Sequence, residues 1–165
     1  MAPNDDTPNK KKQIILTAEG RAELEDELNT LQEEKRPKTV ARLKRAREEG
    51  DLRENSDYHN AKEELELIDN RIDEIEMILD TAKVAKKATD NSMVGVGSRV
   101  KVHLKGKKKK HRTFTIVGDF EADPMEGKIS SSSPIGKALM GSAAEDEVVV
   151  KTPNGDKTYV IEEIA

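Results

Sequence analysis

The sequence predicts an α+β chain, an N-terminal antiparallel α-helical coiled-coil hairpin followed by a small, mainly antiparallel sheet domain. Tyr58, Ala61, Leu65, Ile68, Ile72, Ile75, Leu79 and Ala82 recur at spacings of three and four, which is the seam of one long helix. A second helical pattern precedes it, and only the short stretch "REEGDLRENSDY", residues 47–58, lies between them, a connection short enough to return the chain antiparallel. Beyond residue 95 the heptad gives way to alternation in "SRVKVHL" and "RTFTIVG", and to "PNGD" between two strand-like runs, a strong hairpin signal.

Taken in order, residues 1–13, "MAPNDDTPNKKKQ", are polar and rich in Pro, Asn and Lys, the composition of a disordered tail. The first helix is predicted across "ILTAEGRAELEDELNTLQEEKRPKTVARLKRAREEG", with Thr17 as N-cap and Glu19 in the positive first turn. Leu24, Leu28 and Leu31 form its apolar stripe; Val40 and Leu43 continue it out of phase, and Pro37 between them predicts a kink or a register shift. Gly50 suits a helix C-terminus of positive φ. With the return helix this gives a coiled-coil domain over residues 14–86, an acidic tip at 48–57 and an arm of roughly 45 Å at about 1.5 Å per residue. A linker is expected at 87–95 and a second domain at 96–165. In that domain "KGKKKKH" reads as a basic turn, and Pro134 after the serine run opens a short helix.

Composition narrows the function. The chain has no cysteine, hence no disulfide framework and no thiolate metal site. Four aromatic residues among 165, with 38% charged, cannot fill a large core. No long apolar run is present, which predicts a soluble, cytoplasmic protein with no membrane partner. The net charge of −4 conceals segregation. Lys35, Arg36, Lys38, Arg42, Lys44, Arg45 and Arg47 follow one another without an acid, whereas residues 54–80 hold ten acids against Lys62 and Arg71. Two readings stay open: mutual neutralisation across the seam, worth little per exposed pair, or a phosphate-contacting patch beside the tip. With no aromatic interleaving, any nucleic-acid contact is to the backbone and not sequence-specific.

The tip also supports two readings. Asp51 can cap the returning helix, with Glu54 three residues later completing a variant capping box. Equally, carboxylates at the end of a long arm can enter another molecule, where Asp and Glu are hard oxygen ligands for Mg²⁺ and can orient or deprotonate a water. They are too few for a dedicated Mg²⁺ cage, so such an acid would borrow the rest of its active site.

"AREEGDLRENSDYHNAKEE" resembles the tip signature of the Gre family of bacterial transcript-cleavage and elongation factors, its GreA branch more than its GreB branch. The resemblance extends through "LTAEGRAELEDELNTL", "VGVGSRVKV", "TIVGDFEADPMEGKISSSSPIGKALMG" and "TPNGDKTYVIEEI", nearly the whole chain. It implies that the second domain is FKBP-like and docks at the rim of the secondary channel of bacterial RNA polymerase. It implies that the coiled coil reaches the polymerase active centre, where the tip promotes hydrolysis of backtracked nascent RNA. Carried over residue by residue, Asp51 helps hold a second Mg²⁺ shared with the polymerase, and Glu54 positions or activates the attacking water. Asn55, Ser56 and Tyr58 support the tip or touch RNA and polymerase, and Arg45, Arg47, Lys44 and Arg53 contact RNA phosphates. No cofactor is expected on the protein alone, no activity without polymerase, and a monomer. The tail, the Lys107–Lys110 run and "GSAAEDEVVV" depart from the family pattern. The alternatives are a Gre-like antagonist in the same channel, whose acid pattern should differ at Asp51 and Glu54, and a non-catalytic coiled-coil adaptor or chaperone. Prolyl isomerisation is disfavoured, because the second domain holds only Phe114, Phe120 and Tyr159 to line an aromatic pocket.

Overall fold

The computed structural model describes residues 13–86 and 91–165; most of the expected tail, and residues 87–90 of the expected linker, lie outside them. The chain forms two compact units. One is Arg21–Thr81; the other joins the described residues up to Gly20 to Ala82–Ala165.

In the helical unit, helix α1 (Ala18–Thr30) runs through a π-helical turn, Leu31–Lys35, into α2 (Arg36–Glu48), and α3 (Ser56–Thr81) returns. Pairs across the two arms draw together in sequence toward the bend, from Arg36 with Asp69 to Arg42 with Glu64 and Asn55 with Ala46, so α2 and α3 are antiparallel. The seam of α3 follows the expected spacing at the buried Ala61, Ile68, Ile72 and Ile75, with Tyr58, Leu65 and Leu79 half-buried. Ile78, not expected in the seam, is fully buried; three residues from Ile75, it shares the face that Leu79 reaches at four. Each buried isoleucine contributes about 1.5–3 kcal/mol of transfer free energy.

The expected register shift is present, and the π-helical turn explains it. There the backbone N–H of Arg36 donates to the carbonyl of Leu31, five residues back, so the turn absorbs one extra residue. A stripe from Leu24 and Leu31 would otherwise continue through residues 38, 42 and 45; it reappears one position later, at Thr39, the half-buried Leu43 and Ala46. Val40, expected in the stripe, is therefore 40% exposed, and Thr39 is buried, with its hydroxyl 3.4 Å from Glu64 Oε1. Pro37 lies in the first turn of α2, one residue beyond Arg36, where its missing N–H is least costly.

The other unit is a five-stranded sheet in the order β5-β4-β3-β7-β6. Its strands are β3 (Arg99–Leu104), β4 (His111–Val117), β5 (Lys128–Ser130), β6 (Glu147–Thr152) and β7 (Gly155–Ile164). All neighbours are antiparallel except β4 and β5, so the sheet is mixed. Its core is Val100, Val102, Phe114, Ile116, Tyr159 and Ile161, covered by Leu139 of the short helix α4 (Pro134–Leu139). That helix begins as expected: Pro134 opens it and the Ser133 hydroxyl accepts from Gly136 N–H at 3.0 Å. The β6–β7 hairpin turns at Pro153 and Asn154, the "PNGD" site.

The division of the chain differs from the expected boundaries at 14–86. Ile15–Leu16 (β1) pairs in parallel with Lys83–Val84 (β2), and Leu16 is wholly buried. The Glu121 carboxylate accepts from the Thr17 N–H at 2.8 Å and from the Thr17 hydroxyl, while that hydroxyl accepts from Gly20 N–H at 2.9 Å. Thr17 is therefore the N-cap its sequence indicated, and also an anchor into the sheet unit. Gly118 allows this approach, since a Cβ there would stand 1.8 Å from the Ile15 carbonyl oxygen. No helix among the described residues is long and apolar enough to cross a membrane.

Candidate functional site

The bend between α2 and α3 is built around Asn55. Gly50 ends the outgoing helix with a φ of 126°, a backbone conformation that favours glycine. Asn55 then caps α3: its side-chain oxygen accepts from the Tyr58 N–H at 3.1 Å. Its side-chain amide donates to the Ala46 carbonyl at 2.7 Å. One side chain thus satisfies an orphan donor at the start of α3 and a carbonyl near the end of α2. Tyr58 is half-buried, its ring edge-on to His59 at 5.4 Å, and Ser56 is exposed.

This corrects one of the two readings of "GDLRE". Asp51 is not the N-cap of α3, and Glu54 completes no capping box with it. Helix α3 starts at Ser56, too late for Asp51, and Asn55 takes the capping position instead. Among the described residues, the Asp51 carboxylate accepts only from Arg53 N–H, at 3.1 Å, closing a local turn. Among the described residues, no hydrogen bond or ion pair engages Glu54. Both acids are exposed.

The basic flank separates into two sets. Arg36 pairs with Asp69 at 2.8 Å, and Arg42 pairs with both Asp57, through Nε at 2.8 Å, and Glu64 at 3.0 Å. The hydrogen bond to Asp57 and its charge hold the Arg42 guanidinium still further in its charged form. These two arginines fit the neutralisation reading. Lys44, Arg45, Arg47 and Arg53 are exposed, and among the described residues no carboxylate pairs with their side chains. They form a cationic set next to the two acids in sequence.

The tip is not a metal cage. Among the described residues, neither Asp51 nor Glu54 belongs to a group of three convergent ligand side chains. Asp51 offers one exposed carboxylate with an oxygen left over from its turn, which fits an added ligand for an ion held mainly by another molecule.

Asn55→Ala is expected to destabilise the helical unit by about 1–2 kcal/mol, because it removes a cap and the partner of the Ala46 carbonyl together. Urea unfolding followed by circular dichroism measures this; an unchanged midpoint would show that the bend does not depend on the tether.

Residues 14–84 match the family model described as "Transcription elongation factor, N-terminal" of GreA and GreB, and residues 89–165 match "Transcription elongation factor, GreA/GreB, C-term". The chain belongs to the GreA/GreB family of transcription elongation factors. It is 40% identical to "Transcription elongation factor GreA" of Bacillus subtilis (strain 168) over 156 residues, covering 94% of this chain and 99% of that protein. It is 43% identical to the GreA of Listeria welshimeri over 155 residues, covering 93% and 96%. Among solved structures, that of GreA factor homolog 1 (Gfh1) of Thermus thermophilus aligns with 93% of this chain and 99% of its own at 28% identity, with a TM-score of 0.44.

Proposed function

We propose that this protein enters the secondary channel of bacterial RNA polymerase and stimulates hydrolysis of backtracked nascent RNA at the polymerase's own active centre. The observation that carries this reading is the release of Asp51 and Glu54 from helix capping. Asn55 does that work, so two exposed carboxylates stand at the bend with no structural duty beyond the Arg53 turn.

In this reading Asp51 lends one carboxylate oxygen to an Mg²⁺ held mainly by the polymerase, while its other oxygen keeps the turn to Arg53 N–H. Bound there, the ion would supply Lewis-acid activation of water and of the phosphodiester. Glu54 orients the attacking water and accepts its proton. Water attacks phosphorus, the bond to the 3′ oxygen breaks, and the retained RNA keeps a 3′ hydroxyl. Lys44, Arg45, Arg47 and Arg53 hold the phosphates of the displaced RNA near the tip, and Asn55, Ser56 and Tyr58 fix the bend. The sheet unit docks on the polymerase. The protein acts as a monomer in the cytoplasm and has no nuclease activity of its own.

A backtracked elongation complex carrying 5′-labelled RNA tests this. Adding the protein should shorten the RNA and restore extension on addition of nucleotides. The protein with RNA and Mg²⁺, without polymerase, should leave the RNA intact. RNA that stays full length in the complex, or that is cut without polymerase, would overturn the reading.

A further inference from the structure

A second group of chemically active side chains lies on the sheet, away from the core face. The pairing of β3 with β4 sets His103 opposite His111. Between β3 and β7 the register breaks: Lys101 faces Glu163 and Val102 faces Ile161, so Glu162 is one residue more than β3 can match. A bulge of this kind re-aims a side chain. Ile161 and Ile164 keep their places in the core, and Glu162 turns toward the two histidines. Its Oε1 lies 2.8 Å from His103 Nδ1, and its Oε2 lies 2.7 Å from His111 Nδ1. The rings stand edge-on, with centroids 6.3 Å apart. One ligand atom from each of the three residues falls within 4.8 Å of the others.

Two features distinguish this group from a surface ion pair. The His103 side chain is only 8% exposed, and its Nδ1 is shut off from solvent. A buried imidazole nitrogen therefore faces the Glu162 carboxylate at ion-pair distance inside the cluster. In addition, the donors are the right kind. Two imidazoles and one carboxylate suit a borderline ion such as Zn²⁺, which takes nitrogen at about 2.0–2.1 Å and oxygen at about 2.0–2.2 Å and leaves a fourth position for water. A surface depression of about 540 Å³, lined by His103, Glu162, Val160 and Glu147 among others, gives water that access. Cations oppose the ion: Lys105 and Lys108 line the same depression, Lys105 pairing with Glu147 at 2.6 Å, and Lys101 Nζ lies 3.8 Å from Glu162 Oε2. Its side chain is 44% exposed, and a lysine on a flexible stem can swing into solvent.

We propose that His103, His111 and Glu162 bind one divalent transition ion of the Zn²⁺ class, through both Nδ1 atoms and a Glu162 oxygen, with water completing the shell. The ion would staple β3, β4 and β7 together. It is distinct from the tip's proposed Mg²⁺, a hard ion that prefers oxygen donors throughout. Binding requires neutral imidazoles and so weakens in acid.

The test uses the full-length protein, stripped with EDTA, desalted and titrated with Zn²⁺ and with Co²⁺. One equivalent should bind at micromolar concentration or below, raise the melting temperature, and give Co²⁺ a visible absorption of tetrahedral type. His111→Asn and Glu162→Gln alter side chains at the edge of the cluster; each should keep the apo circular-dichroism spectrum and weaken binding at least tenfold. If either variant folds poorly, the wild-type imidazole resonances decide, with Zn²⁺ shifting His103 and His111 and leaving His59 unmoved. Failure to saturate at 100-fold excess over protein, equal binding in both folded variants, or a shift confined to His59 would overturn the proposal.

Discussion

Asp51→Asn and Glu54→Gln should each leave the helical unit folded, within about 1 kcal/mol of the parent, and each should remove nearly all stimulated RNA cleavage. The structure supports the first half of this expectation. In the first variant the new amide still offers a side-chain oxygen to the Arg53 N–H, and among the described residues Glu54 makes no contact to lose. What disappears is negative charge, which a metal ligand and a water-activating base both need. Raising Mg²⁺ should restore part of the Asp51→Asn activity, because mass action refills a weakened site. Glu54→Gln should respond less, since its defect concerns the water. Melting curves, polymerase binding and cleavage rates across an Mg²⁺ series measure the three quantities separately. Full activity in the folded double variant would sink the assignment of these acids.

The second large effect is expected from Arg45→Glu combined with Arg47→Glu. Both side chains are exposed, and no described carboxylate pairs with them, so reversal should hardly alter stability. Cleavage in backtracked complexes should fall by on the order of tenfold or more, beyond any loss of affinity for free polymerase. The salt dependence should flatten as well. Two lost contacts to single-stranded phosphates reduce the log–log slope by about 1.4. Arg42→Glu is the control, because it breaks pairs with Asp57 and Glu64 and should act through folding. Equal losses in cleavage and in polymerase binding for the Arg45/Arg47 variant would return these charges to general docking.

The parts of the fold that local rules specify could be read from the sequence. Thr17 before a helical run, Ser133-Pro134 before a short one, "PNGD" between alternating segments and the spacing from Ala61 to Ile75 each act over a few residues. The α3 seam is apolar enough that no tertiary contact redirects it. What could not be read depends on distant partners. β1 and β2 are two residues each and exist only through one another; β5 is three residues long and pairs in parallel with β4. None has the length to show a period. Pattern alone puts Val40 inside, because a proline signals that a stripe shifts, not by how much; the π-helical turn sets the shift at one residue and buries Thr39. At the tip, "DLREN" offers two capping side chains, and only the position of Ala46 in space decides for Asn55, whose amide can reach it. The bulge at Glu162 shows only as a doublet, Glu162-Glu163, between the core residues Ile161 and Ile164, a break in the period of two too short to be told from a strand end.

The extra residue in the π-helical turn and Pro37 constrain one another's history. Deleting one residue from Leu31–Lys35 would bring both apolar stripes into a single continuous phase, but would leave the proline inside an unbroken α-helix at a cost of about 3 kcal/mol. Replacing Pro37 alone would leave a widened turn with nothing requiring it. Neither change is easy to accept without the other, so insertion and proline should be inherited together across related lineages. Where one is missing, the other should be missing too, and the arm should be shorter by about 1.5 Å.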